Sequence, residues 1–315
     1  MSQQFYVVVN QVLVFAILML IGFGMAKAKV LTADVLSGLS KLIVKLLLPC
    51  LIVYQILGNG ITVQHLMANG RFAAALLLLY AVLGLLGFAM AASSGLRRSG
   101  KDMFAVATMF CNIGFMGIPL LQSMFPGNGL VSVYLLIYMM LDQLLLWSVG
   151  LSLCTWHAKR KQGGSALRNL LNPMTVGIVL ALTVLYLDIP VPAPLLDSIQ
   201  GLGDCSRYLA LLYLGALLAT MPVLSILTKP YVYFLIVLKM TVLPVLVYFV
   251  ARFFFDSTIQ MVLAVIVSLP PMVANTMMAR TYGGDERVAA ETVFVGTIAC
   301  LGSIPLVQFI IAVLF

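Results

Sequence analysis

Long apolar runs, separated by short polar or charged connections, dominate this chain of 315 residues. Ten of these runs are about 20 residues long, which is the length that an α-helix needs to cross the hydrocarbon core of a bilayer. They lie at 6–26, 35–56, 71–92, 103–124, 130–154, 171–187, 205–221, 231–251, 259–281 and 288–313. The pattern predicts an all-α integral membrane protein with ten transmembrane helices.

The composition excludes a soluble globular protein. Hydrophobic residues make up 63% of the chain and charged residues 9%, against about 45–50% and 25% in soluble domains. A net charge of +8 would suggest nucleic-acid binding in a soluble protein. Here Lys and Arg concentrate in alternate connections, as they do in cytoplasmic loops. We therefore expect no nucleic-acid partner, a multi-pass protein of the plasma (inner) membrane, and both termini outside.

The polar connection at 156–170 divides the predicted spans five and five. Residues 1–155 would form a first five-helix repeat and 171–315 a second one, joined by this basic cytoplasmic linker. Because each repeat has an odd number of helices, the second enters the membrane inverted relative to the first. Inverted repeats are typical of secondary transporters, which hold substrate near the midplane between interrupted helices. The pattern predicts a matching interruption in each half.

The fourth span of each half contains such an interruption, rich in Gly, Pro and Asn. Proline removes a backbone donor, and glycine lets a turn unwind. Freed backbone groups at membrane depth are tolerated where they line a cavity or meet protein. A single proline kink would be ordinary, but two at matching positions, each with an asparagine, favour a binding site. The residues concerned are Asn112, Gly114, Gly117 and Pro119 in the fourth span, and Pro270, Pro271 and Asn275 in the ninth.

The ligand predicted for this site is an anion, since the N-terminus of a half-helix carries partial positive charge. Two further polar residues within spans, Lys45 and Gln143, are candidates for substrate binding. Asp142, Lys239 and Lys41 are candidates for coupling or charge pairing, although Lys41 could also extend to the cytoplasmic surface. Asp142 could pair with a lysine, bind H⁺ or Na⁺, or contact substrate. The scattered cysteines and histidines have no metal-ligand spacing, and no metal or cofactor is expected.

At these motifs the chain resembles the auxin efflux carrier family, which includes plant PIN auxin exporters and bacterial malate/malonate permeases. The similarity extends over nearly the whole chain, and its most distinctive part is the Asn-x-Gly-x-x-Gly-x-Pro stretch of the fourth span. The matching positions are 112–119, 42–49 with Leu51, 214–218, Pro270-Pro271 with Asn275, and the series Tyr282, Thr292, Gly296 and Pro305.

The resemblance implies an NhaA-like fold in which broken helices 4 and 9 cross at their centres. Helices 1–2 and 6–7 would form a scaffold that makes a homodimer. Helices 3–5 and 8–10 would form a transport domain that moves organic anions by an elevator-like motion. By the same resemblance, Asn112 and Asn275 would hold the substrate carboxylate at the crossover, flanked by Pro119 and Pro271.

The sequence also offers rivals to a carrier of small carboxylate anions. An intramembrane aspartyl protease would use Asp204 in the Gly-x-Gly-Asp pattern at 201–204, but the second catalytic Asp motif is missing, and we expect Asp204 to cap its helix near Arg207. The chain is therefore not expected to be an enzyme. A cation-coupled carrier or a cation/proton antiporter of the same fold remains the alternative, with Asp142 as its carboxylate.

Overall fold

The computed structural model describes residues 2–58, 62–157, 173–220 and 226–314, and the regular elements within these ranges are helices. They are α1 (Ser2–Lys27), α2 (Ala33–Leu57), α3 (Val63–Ala68), α4 (Gly70–Ala92), α5 (Arg98–Met109), α6 (Ile118–Met124), α7 (Gly129–Trp156), α8 (Pro173–Tyr186), α9 (Ala193–Leu218), α10 (Pro230–Ala251), α11 (Ser257–Ser268), α12 (Ala274–Tyr282) and α13 (Glu286–Leu314). Among these described helices, α2, α4, α7, α10 and α13 are long and apolar enough to cross a membrane. The prediction of an all-helical membrane protein is confirmed.

The predicted seventh span differs most from the structure. It was placed at 205–221, whereas α9 already begins at Ala193. Asp204 and Arg207 therefore lie inside the helix, and the expectation that Asp204 caps its N-terminus is wrong. The first turns of α9 carry Asp and Ser residues, which lowered the local hydropathy and hid the helix. The linker predicted at 156–170 lies outside the described residues from 158 onward.

Helices α1, α2 and α9 pack with their backbones in close contact. A Cβ atom on Gly22 of α1 would lie 2.1 Å from the Leu212 carbonyl oxygen in α9, and one on Gly215 would lie 1.9 Å from the Met19 carbonyl oxygen. A Cβ atom on Gly203 would similarly lie 2.7 Å from the Leu51 Cα in α2. Glycine allows membrane helices to approach this closely. The three helices therefore form one tightly packed group.

The helices of the predicted fourth and ninth spans occupy the centre of the protein. Every residue from 102 to 109 in α5 is buried, and so is every residue from 262 to 268 in α11. A helix that is buried all around is enclosed by other helices rather than by lipid. This packing places the ends of α5 and α11 in the interior.

Candidate functional site

Helices α5 and α11 both stop in the protein interior, and their extended ends pair with each other. The Asn112 N–H group donates to the Pro270 carbonyl oxygen at 2.8 Å, and the Met272 N–H group donates to the Phe110 carbonyl oxygen at 3.0 Å. These bonds form an antiparallel bridge centred on Cys111 and Pro271. We call the paired segments 110–112 and 269–273 the crossover. Each of the two spans is therefore interrupted where the sequence predicted an interruption.

The local sequence explains why the helices stop here. Pro270 and Pro271 have no N–H group to continue α11, and the chain becomes helical again only at α12. After the crossover, the turn Ile113–Gly117 is a wide π-type turn that leads into α6. A Cβ atom on Gly117 would lie 2.6 Å from the Leu269 side chain, so glycine is needed for this approach. Pro119 lies in the first turn of α6, and its side chain is outside the described part of the structure.

Asn112 in the crossover and Asn275, two residues after it, are buried with amide groups that have no partner among the described residues. The side chain of Asn112 is 2% exposed and that of Asn275 is 0% exposed. Among the described residues, the Nδ2 atoms of both and the Oδ1 atom of Asn275 form no hydrogen bond. A buried polar group left unpaired costs about 1–3 kcal/mol. Such groups in a folded protein therefore indicate a place where a ligand or water supplies the missing bonds.

Asp142 of α7 is completely buried and is held by neutral donors. Its carboxylate accepts hydrogen bonds from Tyr80 at 2.6 Å, from Gln143 at 3.0 Å and from Tyr138 at 3.4 Å. Gln143 in turn accepts one from Trp147 at 3.2 Å. Within the described ranges no lysine or arginine lies within ion-pair distance of Asp142. The pairing with a lysine, which the sequence left open, is therefore not seen.

Lys239 of α10 lies at the crossover itself. Its side chain is completely buried, and its Nζ atom donates to the carbonyl oxygen of Leu269, directly after the end of α11. The Cys111 thiol lies beside it. A cation at the C-terminus of a helix is favoured by the helix dipole. In the described part of the chain, no carboxylate lies within ion-pair distance of this lysine.

The other two candidate lysines are not part of this buried cluster. Lys41 and Lys45 are exposed on α2, and neither forms an ion pair with a described residue. Their neighbour Ser40 is buried and lies 2.8 Å from the hydroxyl of Thr281. The structure thus places Asn112 and Lys239 at the crossover and Asn275 two residues beyond it, whereas Lys45 is exposed on α2.

Tyr80 and Trp147 could not be found from the sequence, because aromatic residues inside an apolar run give no polar signal. Both complete the hydrogen bonding of the Asp142 and Gln143 pair. The contact of Cys111 with Lys239 could not be found either, since the two residues are far apart in the sequence. A buried carboxylate needs hydrogen-bond donors. A hydroxyl-bearing residue within a neighbouring apolar span is the signal that could have pointed to Tyr80.

A cavity of about 910 Å³ lies next to the crossover, between α2, α6, α7 and α9. Ile118 and Met139 are among its lining residues. The Met139 methyl group lies 3.7 Å from the position that a Cβ atom on Gly114 would take, so the cavity wall contacts the turn Ile113–Gly117 that directly follows the crossover. The polar side chains in its wall include Tyr54, Gln55, Gln122, Asn128, Ser132 and Arg207.

At the opposite end of the protein, polar contacts join α2 and α9 to α12 and α13. The Arg280 guanidinium donates to the Ala33 carbonyl oxygen at 3.0 Å and to the Glu286 carboxylate at 3.0 Å. Tyr213 of α9 donates to the same carboxylate. We call Ala33, Tyr213, Arg280 and Glu286 the basic-side latch. It lies beside Arg287 and next to the connection that carries Lys27 and Lys29.

Replacing Gly296 with leucine is expected to lower the stability of the protein by about 1–3 kcal/mol. A Cβ atom there would lie 2.7 Å from the Pro271 ring and 3.3 Å from that of Pro270, so the new side chain would push the crossover apart. Melting in detergent measures the effect. Gly302 is the matched control on the same helix, because its Cβ atom would meet nothing within 4 Å. Equal melting temperatures for the two leucine variants would contradict this packing argument.

A family model described as membrane transport protein matches residues 7–308 of the chain. The matched range includes the crossover, the Asp142 cluster, the cavity and the basic-side latch. No curated protein matches the chain.

Proposed function

We propose that this chain, which belongs to the membrane transport protein family, the family of the auxin efflux carriers, is a secondary transporter that moves a small organic carboxylate anion across the plasma membrane. Membership agrees with a membrane transporter rather than an enzyme. The observation that carries the choice of substrate is the pair of unpaired, buried amides of Asn112 and Asn275 at the crossover.

The charges around the crossover support an anion rather than a cation. Asn275 lies in the first turn of α12, where the helix dipole gives partial positive charge. Lys239 places its Nζ atom at the crossover, against the Leu269 carbonyl oxygen. Amide N–H groups form strong hydrogen bonds with carboxylates. A carboxylate at the crossover would therefore satisfy the Nδ2 donors of both asparagines and meet positive potential.

The proposed mechanism is elevator-type alternating access by a homodimer. Ten spans would form two inverted five-helix repeats, at 1–155 and 171–315. Spans 1–2 and 6–7 would be the scaffold, and spans 3–5 and 8–10 would carry the crossover. The close packing of α1, α2 and α9 supports a rigid scaffold. The cavity on one side of the crossover and the basic-side latch on the other support a protein that opens to one side at a time.

The proposed orientation follows from the distribution of the basic residues, and a contact between two of the basic connections supports it. Gly100, two residues after Arg98, lies near Asp285 and Val288, next to Arg287. Since basic connections lie in the cytoplasm, the basic-side latch would face the cytoplasm and the cavity would face outside. Both termini would then be outside.

Transport by the purified protein is the direct test of this function. We expect proteoliposomes to take up at least one radiolabelled anion from a panel of lactate, malate, malonate and an aromatic carboxylate. We expect no uptake of the matching uncharged amides, because they lack the charge that Lys239 and the helix dipole favour. Uptake of none of the anions, by protein that melts cooperatively, would contradict the proposal.

A cation-coupled carrier is the second candidate function, and Asp142 favours it. A buried carboxylate without a cationic partner among the described residues is costly unless it binds a proton or a cation. Asp142 has this environment, with Tyr80, Tyr138 and Gln143 as its donors. It would then couple anion transport to H⁺ or Na⁺.

Replacing Asp142 with asparagine is expected to abolish the dependence of transport on pH or Na⁺ while retaining anion binding. Asparagine keeps the shape of the side chain but cannot release a proton or hold a cation by charge. Uptake measured across a pH series, with and without Na⁺, tests this. Asp197, an exposed carboxylate of α9, is the matched control for an Asn substitution. Coupling like that of the wild type in the Asp142→Asn variant would exclude this role.

A further inference from the structure

Arg207 occupies an unusual position for an arginine. It lies in the interior of α9, about 21 Å along the helix from Ala193 at 1.5 Å per residue. A charged residue of a membrane protein that faces a water-filled space commonly marks the path of a substrate or ion. Arg207 fits this pattern because it lines the cavity next to the crossover.

The guanidinium of Arg207 has free hydrogen-bonding capacity. One Nη2 atom lies 3.7 Å from the Oδ1 atom of Asp204, one turn earlier, which is a loose and half-exposed ion pair. The Nε–H group is buried and has no partner among the described residues. A guanidinium has five N–H donors in a planar fork that matches a carboxylate. Asp204 therefore leaves most of these donors for another anion.

The cavity around Arg207 favours a negative ligand. Its wall contains no Asp or Glu among the described residues, and Arg207 is the charged side chain in it. Tyr54, Gln55 and Gln122 add neutral polar groups to the same wall. A cleft with apolar walls and charge of one sign raises the local concentration of oppositely charged solutes.

Taking the proposed anion transport as its basis, we propose that Arg207 is the residue that first binds the carboxylate on the cavity side, before the anion reaches Asn112 and Asn275. The anion would pass from Arg207 along Ile118 and Met139 to the crossover. Arg207 lies on α9, which is fixed to α1 by the contacts of Gly22 and Gly215. Arg207 therefore contributes to binding of the anion from the cavity side and does not contact the anion when it leaves on the other side.

The test is sided uptake of malonate by the full-length protein in vesicles of known orientation. We expect Arg207→Gln to raise the half-saturating malonate concentration about tenfold from the cavity side, with a weaker dependence on ionic strength. The maximal rate from the cavity side and the half-saturating concentration from the opposite side should stay unchanged. The maximal rate from the opposite side should fall about tenfold, because the ratio of maximal rate to half-saturating concentration must change equally in both directions. Arg71→Gln is the matched control, because Arg71 lines a different, apolar groove and should leave both values close to those of the wild type.

Asp204→Asn provides a second variant with the opposite expected sign. It frees the guanidinium from its acidic neighbour and should lower the half-saturating concentration on the cavity side. Equal changes in the half-saturating concentration from both sides, or no change in this concentration in either variant, would overturn the role of Arg207. If wild-type protein transports neither malonate nor any other anion of the panel, the proposed function fails and this inference with it. If the wild type transports malonate and both Arg207→Gln and Asp204→Asn transport it in the same way, the inference about Arg207 fails while the proposed function stands.

Discussion

Replacing Asn275 with alanine is expected to reduce carboxylate transport to background while the protein stays folded. The buried amide has no partner in the described structure, so its removal breaks no internal hydrogen bond. In the ligand-bound state it removes a bond to a charged group, which contributes about 1.5–3 kcal/mol. This corresponds to roughly a 10- to 150-fold loss of affinity. Uptake by proteoliposomes and the melting temperature measure the two parts of this prediction.

The same substitution at Asn112 should have a similar effect, because its Nδ2 atom is also unpaired. Its backbone bond to Pro270 is independent of the side chain and would keep the crossover together. Asn10, exposed in α1, is the matched control for an alanine substitution. Wild-type uptake by both Asn112→Ala and Asn275→Ala would show that the substrate site lies elsewhere.

Replacing Lys239 with methionine is expected to abolish anion binding and to leave the melting temperature of the ligand-free protein close to that of the wild type. When protonated, Lys239 is a buried charge without a carboxylate partner among the described residues, and removing such a charge favours folding. The lost bond to the Leu269 carbonyl offsets part of that gain. The anion would be the counter-ion that the lysine lacks.

Thermal shift separates these two roles of Lys239. At a ligand concentration of 100 times the Kd, binding stabilises a protein by about 2.7 kcal/mol, and this shift should vanish in the Lys239→Met variant. Lys27→Met, at the end of α1, controls for the loss of one positive charge and should keep the shift. If Lys239→Met melts far below the wild type, Lys239 has a structural role in capping α11. If it binds malonate as the wild type does, it lies outside the site.

The sequence was sufficient to locate the crossover but not to describe its surroundings. Proline cannot continue the hydrogen bonding of a helix and glycine lets a turn unwind, so Pro270 and Gly117 indicated a break without any knowledge of packing. Asn112 and Asn275 followed because an amide in an apolar run needs a partner. That the two breaks meet depends on contacts between distant spans, and only the resemblance to a family suggested it.

Two differences between sequence and structure have the same physical origin, since hydropathy reports composition and not the surroundings of a side chain. The start of α9 was missed because its first half is polar, although Gly203 packs it against α2. Lys45 was grouped with the site because of its depth in α2, but the direction of its side chain depends on which face of α2 is covered. Neither property can be found by counting apolar residues along one span.

The backbone bonds at the crossover also constrain how the protein is made. They join segments from opposite halves of the chain, and these are synthesised at different times. Until residues 269–273 have been inserted, the Phe110 carbonyl oxygen and the Asn112 N–H group lack their backbone partners. The hydrocarbon core of the bilayer supplies no hydrogen bonds to replace them. The early translation product should therefore depend on insertion factors or water near the ribosome exit, and truncation before residue 270 should yield a protein that is degraded.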